Sequence, residues 1–207
     1  MAIVNTFNSN YVSTAIATVP SGTERFVLFI HAQVGGGAYD IPPTGATING
    51  QAMTLYASSG NNEQSVRIFG YAIPDSWSAG NYTITPSGHS QFNRWHVAVF
   101  TGVDGSSPVV GGAGSRIGVS TNDSISNTVD TVENGWVHDA VITGVQKYAG
   151  SGQTVLYNET GRGGISYKSN VSAGTATMSW SWTDSRSGHG AVSLRPSVPK
   201  AVWSCLV

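Results

Sequence analysis

The chain of 207 residues has a single cysteine, Cys205, which excludes an internal disulfide and any cysteine-based metal cage. Charge is scarce as well: Asp, Glu, Lys and Arg make up 10% of the residues, against about 25% in an average globular domain. With a formal net charge of −1 and no run of Lys or Arg, the chain lacks the basic footprint that phosphate backbones require, and no nucleic acid partner is expected. No apolar run approaches the roughly 18 residues of a membrane-spanning helix. The opening MAIVNTFNSN has neither the basic nor the apolar region of a secretory leader, so synthesis in a cytoplasm and no membrane partner are expected. Long windows with a helical period and caps are missing too.

What is present is glycine, 26 residues of it, set among Ser, Thr and Asn between short segments rich in β-branched and aromatic residues. Such segments fall at 25–32, 65–73, 81–85, 95–101, 136–145, 175–182 and 190–194, and their spacing predicts an all-β chain. Within them lies an echo. Phe26-Val27-Leu28-Phe29-Ile30 answers to Trp136-Val137-His138-Asp139-Ala140-Val141, Gly50-Gln51 to Gly152-Gln153, and Ser65-Val66-Arg67-Ile68 to Gly164-Ile165-Ser166-Tyr167. Gly80-Asn81-Tyr82-Thr83 answers to Gly174-Thr175-Ala176-Thr177, and His96-Val97-Ala98-Val99-Phe100 more loosely to His189-Gly190-Ala191-Val192-Ser193. The order is kept and the offset only shrinks, as shorter loops in a second copy would make it.

A sheet with one apolar face must bury that face, and a second copy of itself is the simplest cover. The expected fold is therefore a single jelly-roll-like β-sandwich over residues 1–196, made of two repeated Greek-key halves at about 15–110 and 125–196, with extended N- and C-terminal arms. The unbroken apolar run FVLFI predicts a central strand covered on both faces. Alternation places Trp136, His138, Ala140 and Ile142 on one face, expected to be core, and Val137, Asp139, Val141 and Thr143 on the other. Pro196 and Pro199 close the last strand, which leaves residues 197–207 as an apolar tail.

Several of these segments carry a resemblance. Val19-Pro20-Ser21-Gly22-Thr23-Glu24-Arg25-Phe26-Val27, Thr47-Ile48-Asn49-Gly50-Gln51-Ala52-Met53-Thr54-Leu55, and Val99-Phe100-Thr101-Gly102-Val103-Asp104 with Pro108 belong to it. So do Gly150-Ser151-Gly152-Gln153-Thr154, Thr177-Met178-Ser179-Trp180 and Ala191-Val192-Ser193-Leu194-Arg195-Pro196. Over about residues 15–196 the chain resembles a jelly-roll β-sandwich module of bacteriophage virion proteins and bacterial surface proteins. The resemblance implies a structural or adhesive role. Gly135-Trp136-Val137-His138-Asp139 departs from the Asp-Leu-Val-Val-like strand usual there, and the tail after Pro196 lies outside the pattern.

Catalytic patterns are thin. There is no G-x-S-x-G elbow, and His138 and Asp139, as strand neighbours, point to opposite faces and cannot pair with each other; His138 reads as a partly buried or edge histidine. Acids such as Asp40, Glu63, Asp75, Asp123 and Glu159 stand singly, with nothing local to arrange the carboxylate pair that glycoside hydrolysis needs. His31, His89, His96, His138 and His189 show no ligand-pair spacing, and Asp104 and Asp123 read as turn caps rather than calcium ligands. No enzyme activity, metal or cofactor is expected. Trp95, Trp136, Trp180 and Trp182 lie on strands and read as core. Trp77, in the loop PDSWSAG, and Tyr39, in a Gly-rich loop, are the candidate contacts should the chain bind glycans.

The functional expectation rests on the tail. Val202, Trp203, Leu206 and Val207 would leave apolar area in water unless buried, at about 25 cal/mol per Å², and they are the candidate intersubunit contacts. The chain is expected to be a bacteriophage virion structural protein on the particle exterior, a capsid decoration or cement protein made in the host cytoplasm. Its expected partners are other virion subunits, such as the major capsid protein and further copies of itself. The alternative is a carbohydrate-binding or adhesion module of a phage fibre or bacterial surface protein.

Overall fold

The computed structural model describes residues 1–10, 13–34, 41–59, 64–88, 94–117, 124–160, 163–183 and 185–198. The first nine strands are β1 (Ala2–Asn10), β2 (Ala15–Val19), β3 (Arg25–Val34), β4 (Gly45–Ile48), β5 (Gln51–Ala52), β6 (Thr54–Ser59), β7 (Gln64–Ile73), β8 (Gly80–Ser87) and β9 (Arg94–Thr101). Eight more follow: β10 (Val109–Ile117), β11 (Ser124–Thr131), β12 (Gly135–Thr143), β13 (Lys147–Ala149), β14 (Thr154–Glu159), β15 (Gly163–Val171), β16 (Gly174–Trp182) and β17 (Ser187–Leu194).

The strand order states the duplication outright. One inner sheet runs β1-β9-β3-β7-β6 and the other β10-β17-β12-β15-β14; the outer sheets run β2-β8-β4-β5 and β11-β16-β13. Matching β1 with β10, β3 with β12 and so on along the chain maps the first pair of sheets onto the second, with β5 as the one addition. All the pairings are antiparallel. The fold is thus an all-β sandwich, but each half contributes two sheets where the sequence suggested one. The half-units also begin a strand earlier than 15 and 125. The N-terminal segment read as an arm is β1, bonded along β9, and the segment between the halves contains β10, bonded along β17.

Four layers follow from the way apolar residues alternate. In β3, Phe26, Leu28 and Ile30 turn to the second inner sheet and meet Ala140, Ile142, Ile165, Val192 and Leu194. Val27 and Phe29 turn the other way, to Ala17, Ile48 and Ile84 of the first outer sheet. So FVLFI is covered on both faces, as its unbroken apolar run requires, and each such side chain contributes about 1.5–3 kcal/mol of transfer free energy. Strand β12 behaves alike: Ala140 and Ile142 face the first half, while Val137 and Val141 pack under Met178 and Trp180 of the second outer sheet. The outer strands have one wet face, and β11 alternates exposed and buried along its whole length.

Two glycine signals place these layers. Asn49 (φ 49°) and Gly50 (φ 77°) supply the paired positive dihedrals of the tight β4–β5 hairpin. On β10, a Cβ on Gly112 would overlap the carbonyl oxygen of Tyr56, and one on Gly114 that of Ser58. Bare backbone there lets β10 lie directly on β6, so the inner sheets approach most closely along β6 and β7 against β10 and β17.

The chain ends of the two halves are bolted together. Val103 bridges Pro196, Asp104 N donates to Arg195 O (3.0 Å), Ser197 N to Gly102 O (2.9 Å) and Arg195 N to Pro108 O (2.8 Å). Asp104 caps its own turn through Ser106 N and Oγ, and these hydrogen bonds hold its carboxyl below the usual carboxylate range.

Candidate functional site

The densest polar chemistry lies inside the second sandwich, around Asp139. β12 is the middle strand of its sheet, with Ser166 of β15 beside Asp139 on one flank and Ala191 of β17 on the other. Odd-numbered residues of β12 face the outer sheet, which brings Asp139 under Trp180 of β16. Its Oδ1 accepts from Ser166 Oγ (2.5 Å) and Ser166 N (3.2 Å). Oδ2 accepts from Trp180 Nε1 (2.8 Å) and lies 2.8 Å from His189 Nε2. Because a carboxylate only accepts, the His189 proton sits on Nε2. Asp139, Ser166 and His189 are each 0% exposed.

Further hydrogen bonds carry the network to the outer sheet. Gln153, in the turn before β14, donates through Nε2 to Ser166 Oγ (2.8 Å) and accepts from Ser179 N on the outer sheet (2.8 Å). Asn127 Nδ2 of β11 donates to His189 O (3.0 Å). Gly164 makes room for the indole, since a Cβ there would stand 2.7 Å from Trp180 Cη2.

Ser, His and Asp are the parts of a nucleophilic triad, but the wiring differs. A triad needs the imidazole between serine and carboxylate, as a relay. Here Ser166 Oγ and His189 Nε2 both terminate on Asp139, and His189 Nδ1 meets no hydrogen-bond partner among the described residues. The cluster is instead a cross-sheet clasp. A buried carboxylate is tolerable when its lone pairs are filled, and this one is filled from β15, β16 and β17 together.

His138, on the opposite face of β12, is not an edge residue: it is fully buried in the middle strand, 5.8 Å from the His96 ring of β9 across the seam between inner sheets. Its Nδ1 lies 2.9 Å from Ser166 O. Burial pushes His138 below the ordinary histidine value despite Ser166 O and Asp139, and burial together with His138 pushes His96 down to about 3. As alternation required, His138 and Asp139 do not touch. Of its row, Ala140 and Ile142 are core and Trp136 is half-buried, stacked on Tyr167 (centroids 5.1 Å, 4° between planes). Trp95, Trp180 and Trp182 are buried.

Of the other candidates, Trp77 is half-buried and commits its ring to neighbours: Tyr82 at 4.6 Å and Tyr71 at 5.7 Å. Its carbonyl accepts from Arg25 Nη2 (2.9 Å). Tyr39 and the tail residues Val202, Trp203, Leu206 and Val207 lie outside the described residues. The last residue described is Val198, 78% exposed. It borders a groove of about 480 Å³ at the bolted end of the molecule, also lined by Glu24, Asp75 and Asp104. Among the described residues no three His, Cys, Asp or Glu side chains converge for a metal ion.

Asp139, Gln153, Ser166 and His189 fall within the sequence repeat and Trp180 lies on a strand that the sequence predicts, whereas Asn127 carries no signal there. What joins them is the sheet order, and no local signal carries that. No family model matches the chain, and a search of the curated proteins returns no significant relative.

Proposed function

We propose that the chain is a non-enzymatic structural subunit of a bacteriophage virion, a decoration or cement protein on the shell exterior that holds neighbouring subunits such as the major capsid protein and further copies of itself. The observation that carries this reading is the bolt at residues 102–108 and 195–197. It fixes the end of β17 to the linker between halves, so that Val198 leaves the body from a rigid point and points into solvent. Beyond that point the sequence AVWSCLV is apolar. Apolar chain on a rigid mount serves to anchor one body to another, and a polar, nearly uncharged surface keeps the body soluble meanwhile. Such a joint, built on apolar area rather than ion pairs, tolerates changes in salt, and binding only the assembled shell stabilises that shell by mass action.

The glycan-binding alternative draws no support from Trp77, whose ring is occupied by Tyr82 and Tyr71. The test is a chain ending at Val198, which keeps the whole bolt. It should melt with the full-length protein and fail to decorate particles in a reconstitution; decoration at full-length occupancy overturns the reading.

A further inference from the structure

We propose that the groove at the bolted end of the molecule receives residues 199–207 of a second copy, so that two chains exchange tails across a two-fold axis. The inference rests on the reading of the tail as an anchor, and it names one partner for that anchor. At about 480 Å³ the groove falls in the size range of a binding pocket. Ala72, Ile73 and Pro74 give it apolar surface, and Ser197 and Val198, the root of the tail, line it as well. Donor and acceptor therefore share one patch of the molecule. When two copies bring that patch together, each tail root stands over the partner's groove, and the contact closes as an isologous pair instead of growing into a filament.

Charge selects the occupant. Glu24, Asp75 and Asp104 line the groove, three of the 11 acidic residues of a chain poor in charge. Asp104 is committed to its own turn through Ser106, with Arg195 acting on it. Glu24 and Asp75 carry no ion pair among the described residues. Arg25, next to Glu24 in the chain, spends its guanidinium on the carbonyls of Pro20, Pro74 and Trp77. The tail supplies the missing cation: Lys200 is its one charged side chain, and Ala201, Val202 and Trp203 follow it. An ammonium between Glu24 and Asp75 sets the register, and the apolar residues after it cover Ala72, Ile73 and Pro74 and supply most of the affinity.

The root of the tail favours the partner's groove over its own. Proline at 199 confines Val198 to extended backbone, and Val198 is 78% exposed, so the chain leaves outward from a point fixed by Ser197 N on Gly102 O (2.9 Å). To enter the groove that Val198 itself lines, the chain would have to double back at once, whereas a partner's groove lies ahead of it. Nine extended residues reach about 30 Å, enough to cross a two-fold contact between the bolted ends.

Light scattering of the full chain across a dilution series tests this. A dimer is expected, and the chain ending at Val198 should be monomeric. A synthetic peptide of residues 199–207, carrying a fluorophore, should bind that shortened chain saturably by anisotropy. Lys200→Glu should weaken the dimer by about tenfold or more, and Asp75→Lys in the same chain, an exchange at an exposed position, should restore it. A full-length chain that stays monomeric overturns the proposal, even where the peptide binds, since each tail would then sit in its own groove. So does a dimer that persists without residues 199–207, an assembly larger than a dimer, or a charge exchange that fails to restore pairing. Should the exchanged chain not fold, the peptide decides: Lys200→Glu peptide that binds the shortened chain as tightly as the native one overturns the proposal, and a loss of about tenfold supports it. Decoration separates this inference from the structural reading. A monomer that decorates particles removes the inference and leaves the reading, and a dimer that fails to decorate does the reverse.

Discussion

Trp180 Nε1 donates to Asp139 Oδ2 at 2.8 Å, so that a single hydrogen bond runs from the outer sheet of the second sandwich to the middle strand of its inner sheet. Every other donor to that carboxylate comes from the inner sheet itself. Trp180→Phe deletes the N–H together with the far ring edge, Cη2 and Cζ3, that lies over Gly164, and it should cost about 2–4 kcal/mol, the lost hydrogen bond to a charged group plus the cavity left behind. Asp139→Asn should cost more, about 3–5 kcal/mol, because an amide nitrogen turned toward Ser166, His189 or Trp180 sets donor against donor in a fully buried site. Urea denaturation of the two variants checks the order. A loss for Asp139→Asn smaller than that for Trp180→Phe would show that the carboxylate is not the hub.

Backbone contact between the two halves gives a second prediction. Gly112→Ala or Gly114→Ala drives a methyl into a carbonyl oxygen of β6, and only movement of a whole strand relieves it. Each should cost about 1–3 kcal/mol and lower the thermal midpoint. Gly105→Ala, in an exposed turn with nothing within 4 Å of the new Cβ, should change stability by no more than about 0.5 kcal/mol.

That contact also marks how far the sequence could be read. The apolar run of β3 correctly implied a strand buried on both faces. The echo placed Phe26 and Trp136 on matching strands β3 and β12, and His96 and His189 on matching strands β9 and β17. Strand β10 escaped because Val109-Val110-Gly111-Gly112-Ala113-Gly114 carries the composition of a loop. Its glycines answer to a neighbour, Tyr56 and Ser58, some sixty residues away in the chain, and local propensity contains no trace of that. The second sheet in each half was hidden for a similar reason: β13 is three residues long, and its partner β16 is fixed by long-range pairing. Asp139 drew attention only as a neighbour of His138, the one residue it cannot meet, while its real partners come from three other strands.

Arg25 supports a prediction about the loop that holds Trp77. Its guanidinium, 1% exposed, donates to Pro20 O (3.0 Å), Pro74 O (2.7 Å) and Trp77 O (2.9 Å), a fork that ties the start of β3 to the β7–β8 turn. A lysine ammonium cannot span the three carbonyls in that geometry. Arg25→Lys should therefore destabilise by about 1–3 kcal/mol, with faster hydrogen exchange at residues 74–79 and a shift in Trp77 fluorescence. Unchanged exchange there would mean that the Tyr71–Trp77–Tyr82 stack holds the loop without the arginine.

Lys147 gives the last prediction, and its sign is opposite to intuition about buried cations. The side chain is enclosed, with Nζ donating to Glu159 O (2.7 Å). Burial first, and Arg94 second, push its pKa down to about 8, against the pull of Glu159. An unfolded lysine titrates near 10.4, so between about pH 8 and pH 10.4 the unfolded chain holds more protons than the folded one, and stability from this group rises with pH across that window. Below about pH 8 both states are protonated and the contribution is flat. Lys147→Met removes the hydrogen bond to Glu159 O at every pH, which shifts stability by a constant, and also removes the titration, which changes the slope. The difference in unfolding free energy between wild type and Lys147→Met should therefore grow in favour of wild type from about pH 8 upward. A difference independent of pH would place the amine in water, and a difference that shrinks with rising pH would mean that Glu159 outweighs burial.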